Sequence, residues 1–207
     1  MEFIVKGGPI MFIIILCSVM AFAVFVERMW YLRHAKIDTR KFMEAISDKI
    51  KKNKVMEALD MCNMTKGPIA RILKSGIMKY DRPRQDIKES IEDAGIHEVP
   101  LLEKNLGVLA TIAHISPLLG LLGTVVGMLK AFQVIEDKAM SMVPVNPGDL
   151  AGGIWEALIT TVAGLAVAIP TYVAYNYLVS RVDNFVLDME KSATELTNIL
   201  SDKKGLL

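Results

Sequence analysis

The stretch LAGGIWEALITTVAGLAVAIPTYVAYNYLVS, residues 150–180, holds one formally charged side chain, Glu156, among thirty-one residues. An apolar run of that length exceeds the roughly 20 residues a helix needs to cross a bilayer. An ionisable group at such depth costs ~2.5–3.5 kcal/mol on insertion scales, so its presence points to function rather than to packing. A carboxyl beside the hydroxyls of Thr160 and Thr161 suits proton or cation handling, because a low-dielectric setting moves carboxyl protonation toward working pH. The stretch reads as one wall of an ion path.

Working outward, two more uncharged runs cover residues 7–26 and 105–129, and the 52% of hydrophobic side chains is concentrated in these three blocks. The pattern predicts an all-α membrane protein with three transmembrane helices and long cytoplasmic helical extensions. Its segments are an outer N-terminus with the first transmembrane helix (1–32), a cytoplasmic helical region (33–104), a second transmembrane helix (105–130), a short outer loop (131–149), a third transmembrane helix (150–180) and a cytoplasmic extension and tail (181–207). Basic residues crowd the segment after the first span, whereas residues 130–153 carry two Lys against three acids. By the positive-inside rule the large loop and the C-terminus are cytoplasmic and the N-terminus is outside. Ala21-Phe22-Ala23 mimics a signal-peptide cleavage site, but the apolar run is too long and its leading segment is not basic, so a retained span is expected. Two cysteines, Cys17 and Cys62, cannot build a disulfide framework. The net charge of +1 supports no nucleic-acid reading.

Between residues 30 and 104 apolar residues recur at spacings of three and four, which predicts amphipathic helices packed on extensions of the second and third spans. Gly67-Pro68 and Arg82-Pro83 mark their boundaries. After Arg181 the helical spacing continues to Leu200, so one helix is expected from near Asn146 to about Leu200, roughly 80 Å long. Asn146-Pro147 supplies a cap and a first-turn proline.

In the second span Ser116, Gly120, Gly123, Thr124 and Gly127 repeat along one face, and Gly164 stands near Thr160 on the third. Small residues let membrane helices approach closely, so this is a packing seam whose edge can also line a pore. Pro117 and Pro170 each free a carbonyl four residues earlier and favour a kink. Thr124 is expected ~9 Å below Lys130, with Glu156 ~10 Å and Thr160 and Thr161 ~17 Å below Asp149, one outer-half layer. Glu156 and Thr160 share a face, Thr161 is turned about 100° from Thr160, and spacing leaves open which threonine faces the lumen. A structural ion pair at Glu156 needs a cation at its level. The runs contain no Lys or Arg, leaving His114, which lies nearer mid-membrane, as the one available partner. His114 is also a secondary proton-relay candidate, since imidazole titrates near neutrality.

These residues carry a resemblance. ISPLLGLLGTVVGMLKAF (115–132), GGIWEALITTVAGLAVAIPTYVAYN (152–176) and the Glu27-Arg28 ending of the first span resemble the ExbB/TolQ/MotA family of proton-channel subunits, in its three-span ExbB/TolQ branch. The resemblance implies a homo-oligomer, a pentamer in the bacterial inner membrane around a dimer of single-span ExbD/TolR-like partners. That assembly couples proton motive force to a TonB/TolA-like energy transducer. It also implies that Thr124, Glu156 and Thr161 stand at the family's functional positions, with Thr160 and His114 where small residues are frequent. No cofactor is implied. Metal-ligand spacing, a nucleophile elbow and a phosphate loop are absent from the sequence, so an enzyme is not expected. A structural scaffold without ion flux and a sodium-driven variant are the rival readings. The residues do not separate TonB-type import from Tol-type envelope work.

Overall fold

The computed structural model describes residues 7–204, and every regular element among them is a helix. In chain order these are α1 (Gly8–Ala35), α2 (Thr39–Lys51), α3 (Val55–Met64), α4 (Pro68–Met78), α5 (Arg84–Glu103), α6 (Leu106–Met140) and α7 (Pro147–Lys204). Among the described residues, three helices are long and apolar enough to cross a membrane. The described residues form two compact units, residues 7–27 with 105–177, and residues 28–104 with 178–204.

The first unit joins residues 8–27 of α1 to α6 and the first half of α7. Its seam is built from small residues: Ser116, Gly120, Gly123, Gly127 and Ala131 of α6 are all buried. A Cβ placed on Gly164 would lie 2.5 Å from the Ser116 carbonyl oxygen, and one on Gly127 would lie 2.5 Å from that of Gly153. At these points backbone meets backbone, an approach that a larger residue forbids. Outward, by contrast, the unit shows Phe12, Leu16, Phe22, Leu118, Val125, Val162 and Ile169, each about 60% exposed or more. Such an apolar exterior suits lipid or neighbouring helices, not water. Both α6 and α7 run unbroken through their internal prolines, Pro117 and Pro170.

The second unit packs α2 to α5 on the far half of α7 through Ile46, Ile50, Leu73, Ile77, Ile87, Leu196 and Leu200, each at most 2% exposed. Asp38 caps α2 by accepting the Lys41 backbone N–H at 3.2 Å. Gly67 starts α4 at φ +140°, and a Cβ there would sit 2.9 Å from the Ala35 carbonyl oxygen, so the turn requires glycine. Buried Arg28 donates to the Leu101 carbonyl at 3.1 Å and lies 4.8 Å above the Tyr31 ring. Arg71 forks onto the buried Glu98 carboxylate with two bonds of 2.5 Å, and that hydrogen bonding raises the guanidinium's pKa.

Candidate functional site

The polar side chains of the first unit distribute over two edges of the α6–α7 seam. On one edge, Lys130 donates to both carboxylate oxygens of Glu156 at 2.6 and 2.8 Å. Glu156 is 15% exposed and Lys130 47%. The carboxylate also abuts the first turn of α1, where a Cβ on Gly8 would collide with its Oε1, and Gly8 itself has φ +63°. Only a residue without a side chain fits there.

This corrects the expectation that Glu156 has no cation at its level other than His114. The apolar run stops at Leu129, but the helix does not, because α6 continues to Met140. Gly127 and Ala131 extend the seam past Lys130. Beyond it, Lys138 clasps Asp149 at 2.5 Å, and Asp149 also accepts the Asn146 backbone N–H at 2.8 Å. Lys130 therefore sits ~12 Å inward of that clasp, not at a helix end, and meets Glu156. His114 is more than four turns away along α6.

Thr160, one turn below Glu156, is fully buried against Gly123. Its hydroxyl lies 2.9 Å from its own helix's Glu156 and Ala157 carbonyls, so it back-bonds within the seam. Thr161 occupies the other edge. Half-buried, it donates to the Gly120 carbonyl of α6 at 3.0 Å. Thr124, also half-buried, donates to the Leu121 carbonyl at 2.6 Å. A hydroxyl has one proton and two lone pairs. With their protons turned to carbonyls, both threonines can offer oxygen lone pairs to whatever passes that edge. Ser116 Oγ is buried and lacks a hydrogen-bond partner among the described residues.

Nearer the start of α6, His114 and Tyr172 of α7 meet edge to face, with ring centroids 6.5 Å apart and planes at 84°. Sequence patterning alone does not single out Lys130, Gly8 or Tyr172. The continued small-residue spacing through Ala131 is the signal that Lys130 lies within a packed helix. Among the described residues no three His, Cys, Asp or Glu side chains gather as a metal site.

The profile of the MotA/TolQ/ExbB proton channel family matches residues 64–191, well over half of the sequence. The chain belongs to this family. It is 31% identical over 199 residues to the Tol-Pal system protein TolQ of Haemophilus influenzae, covering 91% of this chain and 86% of that one. It is 30% identical over 191 residues to a putative biopolymer transport protein ExbB homologue of Methanothermobacter thermautotrophicus, covering 92% of this chain and 66% of that longer relative. The biopolymer transport protein ExbB of Aquifex aeolicus is 43% identical over 118 residues, covering 57% of this chain and 76% of that one. This MotA/TolQ/ExbB member is thus a multi-pass membrane protein of a channel family, not an enzyme.

Proposed function

We propose that this chain is the stator-like proton-channel subunit of an energy-transducing motor in the cytoplasmic membrane. In this reading the N-terminus faces out and the large helical region faces the cytoplasm. Five copies surround two single-span ExbD/TolR-like helices, and ion flow drives work on a TonB/TolA-type partner. The observation that carries the reading is the Thr124–Thr161 edge, two hydroxyl oxygens held as acceptors beside a seam too tight to admit water. An acceptor-lined edge suits hydrated protons or another cation. It needs a titrating group from a partner to complete a relay, and the partner's membrane carboxyl fills that role. Glu156 and Lys130 stand on the opposite edge of the same seam, and in this reading they serve coupling rather than forming a mouth of the Thr124–Thr161 path.

The Lys130–Glu156 pair supports a second reading, in which the carboxylate only registers helices within a scaffold. Native mass analysis of this chain co-expressed with an ExbD/TolR-like partner, followed by proton uptake in vesicles, separates the two. A pentamer holding two partner chains whose Glu156→Gln variant assembles but loses coupling fits the motor. A Glu156→Gln complex that works unchanged fits the scaffold. Oxygen acceptors bind Na⁺ equally well, so uptake is compared with and without sodium, and strict sodium dependence would overturn the proton assignment.

A further inference from the structure

We infer that His114 is an inner proton-accepting station of the path, with Tyr172 as its positioning residue; the inference rests on the channel reading above and adds a residue pair to it. Three observations lead here. First, Tyr172 lies eleven residues beyond Thr161 on α7, three turns inward and about 20° from it around the helix. It therefore continues the edge on which Thr161 sits. His114 lies ten residues inward of Thr124 on α6, ~15 Å along the axis and about 80° around it, at the depth of Tyr172, whose ring it meets.

Second, both rings are exposed on the isolated chain. An imidazole turned toward acyl chains is costly, so such groups face a bundle interior or a hydrated cavity in the assembled membrane protein. The edge that Tyr172 shares with Thr161, and on which His114 meets the Tyr172 ring, is where an interior lies.

Third, the tautomer is fixed. His114 Nδ1 lies 2.7 Å from the Ala110 carbonyl oxygen, which can only accept, so Nδ1 carries the proton and donates it. Nε2 is left as the basic nitrogen. In the proposed step Nε2 takes a proton from the water file, the ring becomes an imidazolium, and the same nitrogen returns the proton to water on the cytoplasmic side. Nδ1–H never leaves its carbonyl. Tyr172 faces the imidazole from α7, edge to face, and limits its swing. On α1, Cys17 lines a groove with Thr111 and Ile115, residues that flank His114 in sequence.

The test uses vesicles holding the complex of this chain with its single-span partner, a trapped pH dye and an imposed proton gradient. His114→Ala is expected to lower proton uptake by about tenfold or more, and tens of millimolar imidazole in the buffer is expected to restore most of it. Tyr172→Phe keeps the ring and the flux, whereas Tyr172→Ala behaves as a partial His114→Ala and responds to imidazole. A His114→Cys variant in a Cys17→Ser, Cys62→Ala background is expected to react with a charged, water-borne thiol reagent. If Thr161→Val abolishes uptake while His114→Ala conducts like wild type, the inference fails and the channel reading stands. Loss of uptake that imidazole does not rescue, with His114→Cys unreactive, assigns His114 to packing and also overturns the inference. A wild-type complex that carries no protons overturns the channel reading itself.

Discussion

Replacing Lys130 with Met tests whether the Lys130–Glu156 pair is a working contact, and the structure fixes both the size and the asymmetry of the effect. Two charge-assisted bonds of 2.6 and 2.8 Å join the side chains. Unit charges ~4 Å apart attract by ~4 kcal/mol at an effective dielectric of 20. Lys130 is 47% exposed, so solvent screening and lost lysine rotamers reduce the net coupling to about 1–2 kcal/mol. The asymmetry follows from burial. With Lys130→Met, a carboxylate only 15% exposed loses its cation, which is the costly direction. With Glu156→Gln, the amide oxygen still accepts from the ammonium. Lys130→Met is therefore expected to destabilise more than Glu156→Gln, and adding Glu156→Gln to Lys130→Met is expected to recover stability. The assay is a double-mutant cycle of thermal unfolding in lipid nanodiscs. Additive effects, with Lys130→Met as mild as substitution of an exposed surface lysine, would refute the pairing.

Three further outcomes are expected. Gly127→Ala puts a Cβ 2.5 Å from the Gly153 oxygen and 2.8 Å from the Ala157 nitrogen, where ordinary contact begins at 3.4 Å; the helices must part, at about 1–3 kcal/mol, seen as a lower melting temperature. Burial pushes the Cys62 thiol up to about 11 from an ordinary 9.0, so at pH 8 its alkylation by iodoacetamide is expected to be on the order of 100-fold slower than that of an unperturbed thiol. Glu57, hydrogen-bonded to Lys49 and then to Lys54, has its pKa lowered from 4.5 to about 2. A lowered carboxyl pKa stabilises the fold above the ordinary value, and that contribution fades as pH falls from about 4.5 toward 2; Glu57→Gln is expected to flatten the acid dependence of helix content in this window.

The three spans are legible in the sequence because lipid demands long uncharged runs, and residues 7–26, 105–129 and 150–180 have almost no other reading. The seam is legible for a related reason: Gly at spacings of three and four means close helix approach. What spacing cannot tell is which rim of the seam each hydroxyl occupies. Thr160 and Thr161 are adjacent, and only the approach of Gly123 to one and of the Gly120 carbonyl to the other separates them. Spacing alone misplaces Lys130, because a charge ordinarily ends an apolar span. A lysine with an apolar stem can stay inside a packed helix if its ammonium finds a carboxylate, and Glu156 comes from residues 26 positions later. Tyr172 is hidden among the four aromatic residues of the third span, Trp155, Tyr172, Tyr175 and Tyr177, until tertiary contact sets it against His114.

In the proposed channel, protons pass along the Thr124–Thr161 edge. The direct measurement is proton uptake, in sodium-free buffer, by vesicles holding the complex, comparing wild type with Thr161→Val, which removes the hydroxyl and keeps the shape. Uptake by wild type is expected, with a loss of about tenfold or more in the variant and assembly unchanged by native mass. Equal uptake by the two complexes would contradict that path.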